Sequence, residues 1–213
     1  MARQVRAVRT REALLRAAAE VFAADGYTLA SLPAISGLAG VSTGALHFHF
    51  ASKDSLAREV EAVATRSVER LVERRRASAD TPLQLLVGAT LDLAAAIGAD
   101  IVLRAGFRLG GDPSRKKGEG PGHWWSDWVH ALLREAREAG ELADGVSPEG
   151  AAAAVVATTV GFGMLGSSGR LRLSPELVEQ FWVLVLPGLA ASPSGSPVRP
   201  AGPDPDRKTD RAV

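Results

Sequence analysis

The chain has 213 residues, 46 % of them apolar, no cysteine and a formal net charge of +1. That length suits one large domain or two small ones sharing a core, and the missing cysteines exclude disulfides, thiolate metal sites and cysteine nucleophiles. Residues 1–76 hold 12 Lys/Arg against 8 Asp/Glu and residues 77–213 hold 13 against 16, a modest asymmetry that fits a nucleic-acid-facing N-terminal part.

No apolar run reaches the ~18 residues of a membrane span. No apolar stretch follows the charges of Met1-Ala-Arg-Gln-Val-Arg6, so a secretory signal is not expected. The reading is a soluble, cytoplasmic chain with no membrane partner.

The pattern is helical throughout. A first helix is predicted from Thr10 to Ala24, with Leu14, Leu15, Ala18, Val21 and Phe22 at helical spacing and Gly26 at its end. Ser31 caps a short second helix with Pro33 in its first turn. Gly40 breaks it, Val41 fills the turn, and Ser42 caps a third short helix through Phe48. Ser52 caps a long fourth helix to Arg76, with Leu56, Val60, Val63, Ser67 and Leu71 as its inner stripe.

Pro82 then opens a helix to Ile97, and Asp100 to Leu109 forms another. Residues 110–122 read as a Gly/Pro/Lys loop. A helix from His123 to Ala139 ends at Gly140. Ser147-Pro148-Glu149 and Ser174-Pro175-Glu176 each combine a cap, a first-position proline and a first-turn acid. They open helices running to Gly166 and to Pro187-Gly188. Residues 191–213 read as a disordered tail. No strand is predicted.

Residues 10–53 carry the main signal. Two short helices joined by the tight Gly40-Val41 turn make a helix-turn-helix, whose last helix would lie in a major groove of double-stranded DNA. Gly44 allows close backbone approach, and Ser42 and Thr43 can donate to phosphate or a base edge. Phe48 and Phe50 are expected in the core, and His49 beneath the recognition helix. Ser31 is expected chiefly as a cap.

The run Ala39-Gly-Val-Ser-Thr-Gly-Ala-Leu-His-Phe-His-Phe50 followed by Ser52-Lys53-Asp54-Ser55-Leu56 resembles the TetR family of transcriptional repressors. The resemblance implies an all-α protein. A three-helix DNA-binding domain (1–53) would be joined by a long helix to a helical ligand-binding and dimerisation domain (54–190). It implies DNA contacts from Ser31, Ser42, Thr43, Gly44, Ala45 and His47, and a phosphate contact from Lys53. A narrower resemblance, to the γ-butyrolactone autoregulator receptors, is carried by Met1-Ala-Arg-Gln4 with Arg6, by Val102–Leu109 and by Trp125–Leu142. It implies a small-molecule effector, with Trp125 lining its pocket and Thr158 near the lactone.

The residues give a softer case for the same pocket. Trp124, Trp125 and Trp128 cluster in one helix, which suits a ligand wall or simple core packing. Val63, Leu86, Thr90, Phe107 and Phe162 are further candidate lining. Where these receptors read Thr-Lys-Gly-Ala-Leu-Tyr, this chain has Ser42-Thr43-Gly44-Ala45-Leu46-His47. It thus lacks a cation at 43 and a tyrosine at 47. That departure leaves open a pseudo-receptor, which binds DNA but answers to an antibiotic or intermediate.

The small residues of 148–166 and the surplus apolar surface of 175–187 predict a homodimer through those two helices. A helical dimeric binding protein that has lost DNA recognition is the alternative. No cofactor and no catalysis are expected: HExxH, GxSxG and Walker loops are absent. Gly161-Phe-Gly-Met-Leu-Gly166 spells GxGxxG but follows no strand, so it reads as helix packing.

Overall fold

The computed structural model describes residues 2–115, 120–167 and 175–191. Among these the elements are α1 (Ala2–Leu29), α2 (Leu32–Leu38), α3 (Thr43–His49), α4 (Lys53–Arg76), α5 (Pro82–Ala99), α6 (Ile101–Gly110), α7 (Pro121–Glu138), α8 (Pro148–Ser167) and α9 (Pro175–Leu189). The fold is all-α. One isolated antiparallel bridge, Leu142 with Ala190, ties the α7–α8 turn to the end of α9. The tail predicted over 191–213 lies, from 192 on, outside the described residues.

The caps explain the boundaries. The hydroxyls of Ser31, Ser42, Ser52 and Thr81 accept from the main-chain N–H of Ala34, Ala45, Ser55 and Gln84, each satisfying a free donor of a first turn. The Asp100 carboxylate does the same at α6. Gly40, at φ 68, ends α2 in a Schellman turn: Val41 N–H donates to Ser36 O and Gly40 N–H to Gly37 O.

Two apolar cores share α4 and α6. The first gathers Leu14, Ala18 and Phe22 of α1, Ile35 of α2, Leu46 of α3, and Leu56, Ala57 and Val60 of α4. Ala105 and Leu109 of α6 complete it. The second joins Ala64, Val68 and Leu71 of α4 with α5, α7, α8 and α9, and includes Leu103 of α6.

Several sequence expectations are corrected. α1 starts at Ala2, not near Thr10, because residues 2–9 continue the helix past its last core contact. It is interrupted at Gly26, where φ is 77. α7 begins at Pro121 rather than His123. Pro187 lies inside α9 rather than ending it. The inner stripe of α4 runs through Val60, Ala64, Val68 and Leu71, leaving Val63 and Ser67 half-buried at its edge.

Phe48 is not in the core. It is 82 % exposed, whereas Leu46 and Phe50 are buried. Two residues along a helix turn a side chain about 200°, so Leu46 inward sends Phe48 outward. The membrane reading also changes: α5 is long and apolar enough, by length and composition, to cross a membrane. It is instead the central helix of the second core, apolar over most of its circumference because neighbours cover it.

Candidate functional site

The helix-turn-helix is built on Leu46, which has no exposed surface and fixes the roll of α3. That roll turns Thr43, Gly44, His47 and Phe48 to solvent as one stripe, with Ala45 half-buried beside it. The Ser42 hydroxyl is engaged as a cap, accepting from Ala45 N–H at 3.1 Å, and its own proton remains for a donor role. Ser31 is exposed and caps α2 through Ala34 N–H at 3.3 Å. Buried Ser36, which no sequence pattern singles out, links the two short helices: its hydroxyl lies 3.4 Å from that of Thr43. His49 packs edge-on against Phe48, with ring centroids 5.2 Å apart.

Lys53, expected at a phosphate, is engaged within the chain. Its Nζ donates to the carbonyls of Tyr27 at 2.8 Å and Ala30 at 2.9 Å, and lies 4.5 Å from the centre of the Tyr27 ring. The ammonium thus closes the frayed end of α1, where carbonyls lack helical partners. The same end is held from the other side. Arg108 Nη1 donates to Ala23 O at 2.5 Å, and Tyr27 N–H donates to Asp112 Oδ2 at 3.2 Å. Arg115 reaches Glu61 at 2.7 Å and Asp54 at 3.6 Å and lies over the Tyr27 ring.

These charges shape one another. A hydrogen bond from the Ser114 hydroxyl, with further main-chain donors and Arg115, holds the Asp112 carboxyl below its ordinary range despite some burial. Burial works against the Arg115 cation, but hydrogen bonding and charge from Glu61, with help from Asp54, outweigh it and hold the guanidinium firmly protonated.

In the second core a small cavity is lined by Thr90, Leu93, Ala94, Ile97, Thr159, Phe162 and Val178. Its free volume of about 10 Å³ is no more than one water needs. Two predicted lining residues, Thr90 and Phe162, are brought together here. Trp125 stands one step behind: it is fully buried and its indole Nε1 donates to Thr159 Oγ1 at 2.9 Å.

Thr158 turns away and its hydroxyl donates to Ala154 O at 2.8 Å, so the residue beside the tryptophan is its neighbour Thr159. Leu86 is buried elsewhere in the core, and Phe107 is half-buried near Gly122. Val63 lies in a surface groove between α1, α4 and α6 with Arg11, Glu59 and Arg66. Trp182 of α9 has no exposed surface and donates through Nε1 to Thr90 Oγ1 at 2.6 Å, a pairing the sequence reading missed. Among the described residues no group of His, Asp and Glu could hold a metal ion.

Residues 14–60 match the model of the bacterial regulatory proteins, tetR family. Over 207 residues the chain is 34 % identical to the A-factor receptor protein of Streptomyces griseus, covering 95 % of this chain and 71 % of that one. Among solved structures it is similar to a gamma-butyrolactone receptor described as ArpA-like (26 % identity, TM-score 0.74, covering 87 % of this chain and 90 % of that one). It is also similar to CprB of Streptomyces coelicolor, solved in complex with its biological operator sequence (28 % identity, TM-score 0.73, covering 86 % and 90 %).

Proposed function

This chain belongs to the tetR family of bacterial regulatory proteins, in the branch of the γ-butyrolactone receptors, and we propose that it represses transcription from a palindromic operator until a small molecule releases it. The observation that carries the reading is the exposed stripe of α3, set beside a capped α2 and rolled outward by buried Leu46. Such a stripe fits a major groove, with Thr43 and His47 facing base edges and phosphates.

The effector is a γ-butyrolactone or a molecule of similar size and polarity. It enters the second core at the Thr90–Phe162 cavity, with Trp125 as part of the wall once that core opens. The protein acts in the cytoplasm as a homodimer, and as a regulator rather than an enzyme. Val183 and Leu184 of α9, 64 % and 81 % exposed, and the exposed Ala153, Ala154 and Ala157 of α8 supply the apolar, close-approach surface such a dimer needs. A twofold dimer sets two recognition helices about one DNA turn apart, roughly 34–36 Å.

Release follows from α4. One helix carries Leu56 and Val60 in the first core and Val68 and Leu71 in the second. A ligand that repacks the second core tilts this shared helix and misplaces the reading head. Ligand and operator then oppose each other through one coupling free energy, typically about 1–3 kcal/mol.

The test is an electrophoretic shift on the DNA upstream of the protein's own gene, at two salt concentrations, with and without γ-butyrolactones. A shift that weakens with salt and is released by a lactone supports the reading. A shift released only by an antibiotic assigns the pseudo-receptor role. Equal ligand affinity with and without operator rules the mechanism out.

A further inference from the structure

The polar atoms of the cavity wall form two matching pairs on opposite helices. On α5, the Thr90 hydroxyl donates to Val87 O at 2.7 Å and accepts from Trp182 Nε1 at 2.6 Å. On α8, the Thr159 hydroxyl donates to Val155 O at 2.9 Å and accepts from Trp125 Nε1 at 2.9 Å. Both threonines line the cavity, and both tryptophans are fully buried. The other lining residues are apolar.

A cavity of about 10 Å³ cannot admit a ligand as it stands; small-molecule sites need ~300 Å³ or more. Opening it must part something. The two indole–hydroxyl contacts are the interhelical polar bonds at its wall. A threonine hydroxyl that keeps its bond to its own helix loses only one acceptor role, with a lone pair left over. An indole N–H has no second option and must find a new acceptor once parted.

We propose that the effector takes over both indole donors, so that Trp182 is a second polar anchor beside Trp125. The ligand is then a γ-butyrolactone with two separated acceptors on an apolar body. The ring carbonyl engages one indole and a second ketone or hydroxyl oxygen engages the other. This rests on the ligand-binding role given to the cavity above. It adds a specificity residue on α9, the helix whose outer face carries Val183 and Leu184.

The experiment is calorimetric titration of the full-length protein with two probes. One is γ-decalactone, which has a lactone and an alkyl tail. The other is the same lactone with one extra ketone oxygen in its side chain. The wild type is expected to favour the ketone-bearing probe about tenfold, the worth of one such hydrogen bond. Trp182→Phe keeps a smaller aromatic ring and removes the donor, so the preference disappears because γ-decalactone no longer leaves an indole N–H unpaired and binds about tenfold tighter.

Thr90→Val, close in shape, leaves the Trp182 N–H without its acceptor, so the ketone-bearing probe binds about tenfold tighter than to wild type. A merely structural role for the pair would weaken both probes in both variants. Equal binding of the two probes by wild type overturns the second anchor alone. So does a preference that survives Trp182→Phe, or the absence of a gain in Thr90→Val. Should Trp182→Phe fail to fold, Thr90→Val decides by itself. Binding of neither probe by wild type overturns the lactone reading of the cavity and the anchor with it.

Discussion

Arg75 and Asp92 form a two-point ion pair between α4 and α5, with Nε to Oδ2 at 2.7 Å and Nη2 to Oδ1 at 2.6 Å. The arginine stem lies where a side chain at position 88 would project, since a Cβ on Gly88 would come within 2.8 Å of Arg75 Cδ. The pair is mostly shielded, at 12 % and 25 % side-chain exposure. Asp92→Ala is expected to lower unfolding stability by about 1–3 kcal/mol, because the guanidinium loses a charged partner in a partly dry site. Gly88→Ala is expected to cost about as much through crowding alone. Urea denaturation of both variants checks this; an unchanged Gly88→Ala midpoint would show that the arginine simply steps aside.

Lys53 predicts a dissociation between affinity and salt. Its ammonium holds carbonyls at the end of α1, so Lys53→Ala is expected to weaken operator binding by misplacing the head. The slope of log K against log salt should stay the same. A lost phosphate contact would instead shallow that slope by about one. Thermal unfolding of the same variant should fall by about 1–3 kcal/mol, the worth of charged hydrogen bonds.

Thr43 predicts the converse. It is exposed on the reading stripe, and α3 holds no Lys or Arg. Thr43→Lys is expected to raise affinity for DNA of any sequence and to steepen the salt slope by about one. Electrophoretic shifts at three salt concentrations measure both.

The two phenylalanines around His49 separate stability from recognition. Phe50→Ala is expected to cost about 3–5 kcal/mol, since Phe50 is buried in the first core. Phe48→Ala should leave stability within about 0.5 kcal/mol, as for other exposed positions. Guanidinium unfolding of the pair distinguishes them in one experiment.

Asp112 sets a pH limit on the grip around Tyr27. Its folded pKa lies below the ordinary carboxylate value of 3.8. The contribution of its contacts is therefore complete above that value and is lost as pH falls through the lower folded one. Hydrogen exchange at the Tyr27 amide should be slow at pH 5 and speed up, beyond the intrinsic pH effect, only below about pH 4. Asp112→Asn should abolish that extra dependence.

Much of this was legible in the sequence because it depends on local chemistry. Ser31, Ser42 and Ser52 mark helix starts through the hydrogen bonds their hydroxyls can make, and the Gly40-Val41 turn needs one residue with positive φ. The site was harder where periodicity carried no contrast. Residues 151–161 are uncharged and small or β-branched, so nothing in the pattern says whether Thr158 or Thr159 faces the core. The same holds for Thr90, inside a helix buried on most of its sides. Phe48 misled because an aromatic next to a buried aromatic looks like core, while the roll set by Leu46 is a tertiary fact. The hold of Lys53 on α1 joins residues 23 to 26 apart and has no local signature.

The first core draws Ala105 and Leu109 from α6, far along the chain from the helices they cover. The reading head is therefore not a detachable module. Cutting the chain after α4 would strip two of its core residues, together with the Arg108 and Asp112 contacts that fasten the end of α1. Grafting residues 1–60 onto a foreign sensor would transplant a half-covered fragment, so chimeras of this protein should exchange cavity-lining residues and leave the junction between the cores whole.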